Sequence, residues 1–67
     1  MQQLNLEKIK KRRLELNLTL KDMTKPLNLK TASNYQKYEN GDYKLKAYML
    51  PALAKALNVN IEYFFKK

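Results

Sequence analysis

The chain has 67 residues with neither cysteine nor histidine, and it carries a formal charge of +8 at neutral pH. A chain this short makes one domain that buries only about 60% of its unfolded surface. Without thiols or imidazoles it has no disulfide, no expected metal site and none of the commonest general base.

The charge points to a polyanionic partner. The longest uncharged run near the C-terminus, Ala47 to Ala54, falls far below the ~20 apolar residues that span a bilayer. No apolar run at the N-terminus marks a signal peptide. A cytoplasmic protein is expected, with no membrane segment, cofactor or small-molecule ligand. Catalysis has little support: the carboxylates are scattered singly, Ser33 is the only serine, and the single glycine, Gly41, cannot build a phosphate-cradling loop.

In chain order, residues 1–5 are expected to be loose. A first helix is predicted over Leu6–Leu16, with Leu6, Ile9, Arg13 and Leu16 on one stripe. Arg13 is a cation at an apolar position, and burying it requires a carboxylate partner. Lys8, Lys10, Lys11 and Arg12 read as a solvated face. Asn17 and Leu18 link into a second helix, Leu20–Lys25, which Thr19 caps and whose inward face is Leu20, Met23 and Leu27. Pro26 removes an N–H and ends that helix early or kinks it. Asn28 is suited to a left-handed turn.

A third helix is predicted over Thr31–Asn40, capped by Thr31 and stopped at Asn40-Gly41. Tyr35 and Tyr38 face inward, and the remaining positions are small, amide-bearing or basic. The loop Asp42–Lys46 comes next. A fourth helix runs from Ala47 or Tyr48 to Leu57, with Leu50, Leu53, Ala54 and Leu57 inward and Pro51 in its first turn. Asn58 closes it, Val59 is core, and Asn60 caps a last turn with Ile61, Phe64 and Phe65 apolar.

The stretch Thr19–Gly41 resembles the helix-turn-helix of the Cro/cI-type (XRE-like) transcriptional regulators, and the likeness covers nearly the whole chain. Arg13 and Glu39 occupy the places of that family's internal ion pair. The segment Leu50–Phe64 is similar to its last two helices, including a Leu-Pro seen in some lambdoid phage repressors. The resemblance implies an all-α, compact five-helix lambda-repressor-like domain spanning 1–67, with the second and third helices as the helix-turn-helix. Three departures stand out. Thr24 replaces a usual small residue, Asn28 replaces a usual glycine, and one extra residue falls within Asn28-Leu29-Lys30.

The same resemblance implies a regulator of transcription, a repressor in the simplest case, that binds double-stranded DNA. Carried over by position, the base-reading residues are Ala32, Ser33 and Lys37, with Asn34 and Gln36 close by. Lysine suits guanine O6 and N7, and Ala32 offers only an apolar contact. Backbone contacts are expected from Thr19, Lys21, Lys30, Thr31, Asn40, Lys44 and Lys46. A homodimer on two half-sites, joined through C-terminal residues such as Tyr63 and Phe65, is the expected form. The competing reading is a protein-interaction module on the same fold, an antitoxin or anti-repressor. Leu20, where the family often has a polar backbone contact, and the altered turn keep it open.

Overall fold

The computed structural model describes residues 4–65. Among them are three α-helices, α1 (Leu6–Glu15), α2 (Ala32–Asn40) and α3 (Leu50–Leu57), and three 3-10 segments, Lys21–Met23, Ala47–Met49 and Ile61–Phe65. The regular elements among the described residues are thus all helical, as the resemblance implies, but they are not five α-helices.

α1 begins where Asn5, in extended conformation, accepts the Lys8 N–H on its side-chain oxygen at 3.2 Å. The Asn5 N–H donates to the Phe64 carbonyl at 2.7 Å, so the two ends of the domain meet. Residues 1–3 of the expected loose stretch lie outside the described residues. Leu4 packs against the core, and Asn5 is a cap.

The second helix departs most from expectation. Its start is as read: Thr19 accepts the Asp22 N–H on its hydroxyl at 3.1 Å, while the Asp22 carboxylate accepts the Thr19 N–H at 2.7 Å. This reciprocal capping box satisfies two donors at once. The body is 3-10 rather than α, with Met23 N–H bonded to Leu20 and Thr24 N–H to Lys21. Pro26 accounts for the difference. It has no N–H for the Asp22 carbonyl and its ring crowds that carbonyl, so the α ladder cannot propagate and tighter i→i+3 bonds take over. Turns then carry the chain from Thr24 to Asn28.

Four of the helical runs end in the same way. Asn17, Asn28, Gly41 and Asn58 have positive φ, at 58°, 55°, 91° and 55°. The residue after each bonds back five positions: Leu18 to Arg13, Leu29 to Thr24, Asp42 to Lys37 and Val59 to Ala54. This is the Schellman closure, in which a left-handed residue turns the chain and an apolar residue beyond it seals the end. Leu18, Leu29 and Val59 all pack against the core. Asparagine suffices at three of the sites because its short polar side chain tolerates the left-handed region. At Gly41 a Cβ would stand 3.3 Å from Leu6 Cδ1, so close approach of α1 adds to the demand for glycine.

The core gathers one inward face from every element: Ile9, Met23, Leu27, Tyr35, Met49, Leu53, Ala54, Leu57 and Phe64. Pro51 lies in the first turn of α3, where its missing N–H is not needed. The 3-10 turn Ala47–Met49 absorbs the residues predicted to open that helix. Its Met49 reaches the core while Tyr48 is 75% exposed.

The turn geometry gives a direct stability expectation. Asn58→Ala should lower unfolding free energy by about 1 kcal/mol, the penalty of a left-handed alanine. Asn58→Gly should be at least as stable as the wild type. Urea denaturation of the pair checks this, and equal stability of the two variants would contradict the assigned backbone role.

Candidate nucleic-acid interface

α2 is built with two chemically distinct faces. Thr31 sits in extended backbone (φ −137°, ψ 156°), and its hydroxyl accepts the Asn34 N–H at 3.0 Å. Tyr35 and Glu39 are buried, and Tyr38 is half-buried. Ser33, Gln36, Lys37 and Asn40 are exposed. They recur at i, i+3, i+4 and i+7, one stripe of a helix. Of the residues carried over as base readers, Ser33, Gln36 and Lys37 therefore lie on the open face. Ala32 and Asn34 are half-buried on its flanks.

The inward face carries charge as well as apolar surface. Arg13 Nε donates to Glu39 Oε2 at 2.9 Å and Nη2 donates to Oε1 at 3.1 Å. The third guanidinium nitrogen, Nη1, donates to the Leu18 carbonyl at 2.7 Å. Arg13 and Glu39 are 6% and 7% exposed, so the pair is desolvated and every nitrogen is used. Its hydrogen bonds to Glu39 push the arginine above its ordinary pKa, outweighing burial. The adjacent Tyr35 phenol is pushed up by burial first and by Glu39 second, which keeps it neutral.

Along the chain, Lys21 and Lys30 precede α2, and Lys44 and Lys46 follow it. All four are exposed, as are Thr19 and Thr31. The two threonine hydroxyls are engaged as caps, accepting the Asp22 and Asn34 N–H groups. The capping contacts with Thr19 hold the Asp22 carboxyl below its ordinary pKa, so that carboxylate stays charged beside the entry to the motif. Leu20, at the site of a polar family contact, packs half-buried against the core instead.

Beyond Gly41 the chain folds back on α2. The Asp42 and Tyr43 N–H groups both donate to the Lys37 carbonyl, at 2.9 and 3.2 Å. Tyr43 meets Tyr38 edge-on with ring centroids 5.4 Å apart, and the Lys37 ammonium lies 5.3 Å from the Tyr43 ring centroid. Tyr38, Asp42, Tyr43, Lys44 and Lys46 line an open depression there. Sequence alone gives Tyr43 no role; its only signal is an aromatic residue two positions past a helix-stopping glycine.

Arg12 corrects a second expectation. Assigned to a solvated face, it is half-buried, and its Nε donates to the Leu57 carbonyl at the end of α3 at 2.9 Å. A cation at a helix C-terminus meets the negative end of the helix dipole. Glu15 takes a second nitrogen at 3.4 Å. At the C-terminal segment, Phe64 is buried while Tyr63 and Phe65 are half-buried. One face of the Tyr63 ring is covered by the Lys8 ammonium at 4.5 Å.

No group of histidine, cysteine, aspartate or glutamate suited to a metal ion occurs among the described residues. No described helix is long and apolar enough to cross a membrane. Two helical segments joined by a turn, the second presenting a polar and basic stripe, define a helix-turn-helix protein. The family model described as helix-turn-helix matches residues 9–64, and the chain belongs to that family, the Cro/cI-type (XRE-like) DNA-binding regulators. No curated protein and no solved structure matches the chain.

Removing one member of the buried pair leaves the other charge stranded, which costs about 3–5 kcal/mol. Glu39→Ala should therefore unfold the domain or lower its melting temperature by more than about 10 °C, on the scale of about 4–8 °C per kcal/mol for a chain of this size. Thermal denaturation followed by circular dichroism checks this. A shift of only a degree or two would mean that the pair is solvated.

Proposed function

We propose that the chain is a sequence-specific transcriptional repressor that binds double-stranded DNA with α2 in the major groove. The observation that carries this reading is the stripe Ser33, Gln36, Lys37 and Asn40, exposed on a helix whose opposite face is locked by Tyr35 and Glu39. Lys37 donates to guanine O6 or N7, and Ser33 and Gln36 supply groups for neighbouring base edges. Ala32 and Asn34 contribute at the flank, where Ala32 meets a thymine methyl. Thr19, Lys21, Lys30, Thr31, Asn40, Lys44 and Lys46 hold the phosphates and fix the register.

One such helix touches few base pairs. The reading therefore includes a two-fold dimer on half-sites about 34 Å apart, joined through the segment bearing Tyr63 and Phe65. Repression results from occupying a promoter, in the cytoplasm and at the nucleoid. A second reading, a protein-interaction module such as an antitoxin or anti-repressor, draws on two large exposed apolar residues outside α2, Tyr48 at 75% and Leu14 at 54%.

Selection from randomised duplex DNA separates the two. The repressor reading expects enrichment of a two-fold symmetric sequence. With about eight phosphates neutralised by Lys21, Lys30, Lys44 and Lys46 of the two subunits, log affinity should fall against log salt with a slope of about −7. Lys37→Ala should weaken binding to the selected duplex about tenfold or more, the discrimination of one good base contact, and leave the melting temperature nearly unchanged. Unfolding of that variant would make Lys37 structural, and the absence of any DNA binding would favour the protein-interaction module.

A further inference from the structure

Tyr43 is fixed from several sides although it lies in a loop. Its N–H and that of Asp42 both donate to the Lys37 carbonyl, which ties it to the last turn of α2. The Tyr38 ring meets it at an interplanar angle of 73°, which sets the plane of the Tyr43 ring. At 44% exposure the ring contributes little to the core. Its open side is instead occupied by the ammonium of Lys37, 5.3 Å from the centroid.

A lysine on an open helix face ordinarily samples many rotamers and must give them up when it docks. The face of an aromatic ring attracts a cation through its quadrupole, worth about a two- to fivefold bias in an equilibrium constant at an exposed site. We propose that Tyr43 is a positioning residue for DNA reading: its ring confines the Lys37 ammonium to one arc beside α2 and so narrows the set of base edges that Lys37 can satisfy. This inference rests on the DNA-reading role proposed for Lys37. The chain thereby sharpens a flexible, point-charge donor, which by itself lacks the fixed fork that makes arginine selective.

Two variants isolate the ring. Tyr43→Phe keeps the aromatic face and loses only the hydroxyl. Tyr43→Leu keeps an apolar side chain against Tyr38 and loses the quadrupole. In the free protein, the ε-methylene protons of Lys37 should be shifted upfield by the ring in the wild type and in Tyr43→Phe, and should return to ordinary values in Tyr43→Leu.

Binding is then measured to the duplex selected by the wild type and to its single base-pair variants. Tyr43→Leu should lower discrimination at one base pair of each half-site by about two- to fivefold, with other positions and the salt slope unchanged. Tyr43→Phe should retain it, and Tyr43→Leu should change nothing further in a Lys37→Ala background. Two results overturn the inference while leaving the DNA-binding reading intact. One is undiminished discrimination in Tyr43→Leu; the other is a uniform loss at all positions with a shallower salt slope, which makes Tyr43 a backbone contact. Failure of the wild type to enrich any sequence overturns both.

Discussion

The guanidinium of Arg13 can leave water because three acceptors meet it: two carboxylate oxygens of Glu39 and the carbonyl of Leu18. Those partners come from different parts of the chain, the end of α2 and the link after α1. Leu18 is gripped twice, since its own N–H donates to the Arg13 carbonyl. The pair thus fixes the exit of α1, the entry to the helix-turn-helix and the last turn of α2 relative to one another. A buried ion pair is weak evidence for stability in itself, because desolvation offsets its attraction. Its consequence here is geometric: with Glu39 held inward, the stripe through Lys37 must face outward.

Other contacts extend that constraint. Arg12 ties α1 to the end of α3 through the Leu57 carbonyl, and Asn5 ties the start of α1 to Phe64. Adjacent arginines therefore tie α1 to different elements, Arg12 to α3 and Arg13 to α2. The Tyr35 hydroxyl is buried beside the Glu39 carboxylate, which helps to keep the phenol neutral. The Tyr35 ring is one of the largest fully buried side chains of the core, and it holds α2 from behind.

Much of this was legible in the residues. A lone arginine on the stripe Leu6, Ile9, Leu16 demanded a carboxylate, Asn28 suited a left-handed turn and Asn58 marked a helix end, whereas Asn17 read only as part of a link. The tyrosines at 35 and 38 marked the inward face of α2, and with it the outward position of Lys37. What escaped depended on register and on distance through space. Pro26 marked a short helix, but periodicity cannot distinguish α from 3-10 bonding over one turn. Arg12 looks like any member of a basic run, because its acceptor is a backbone carbonyl 45 residues away. Tyr43 was likewise placed only as part of a loop. Its ring meets Lys37 because two backbone N–H groups return to a single carbonyl, an arrangement without a sequence period.

With the ion pair holding Glu39 inward, the exposed stripe of α2 is the face proposed to meet duplex DNA. Backbone amide resonances of the labelled protein, followed during titration with a duplex it selects, report whether DNA meets that face. The largest changes should fall on Lys30 to Lys37, Asn40 and the loop Asp42–Lys46, with the amides around Tyr48 and Leu14 little affected. Changes centred on Tyr48 or Leu14, with α2 silent, would contradict that proposal.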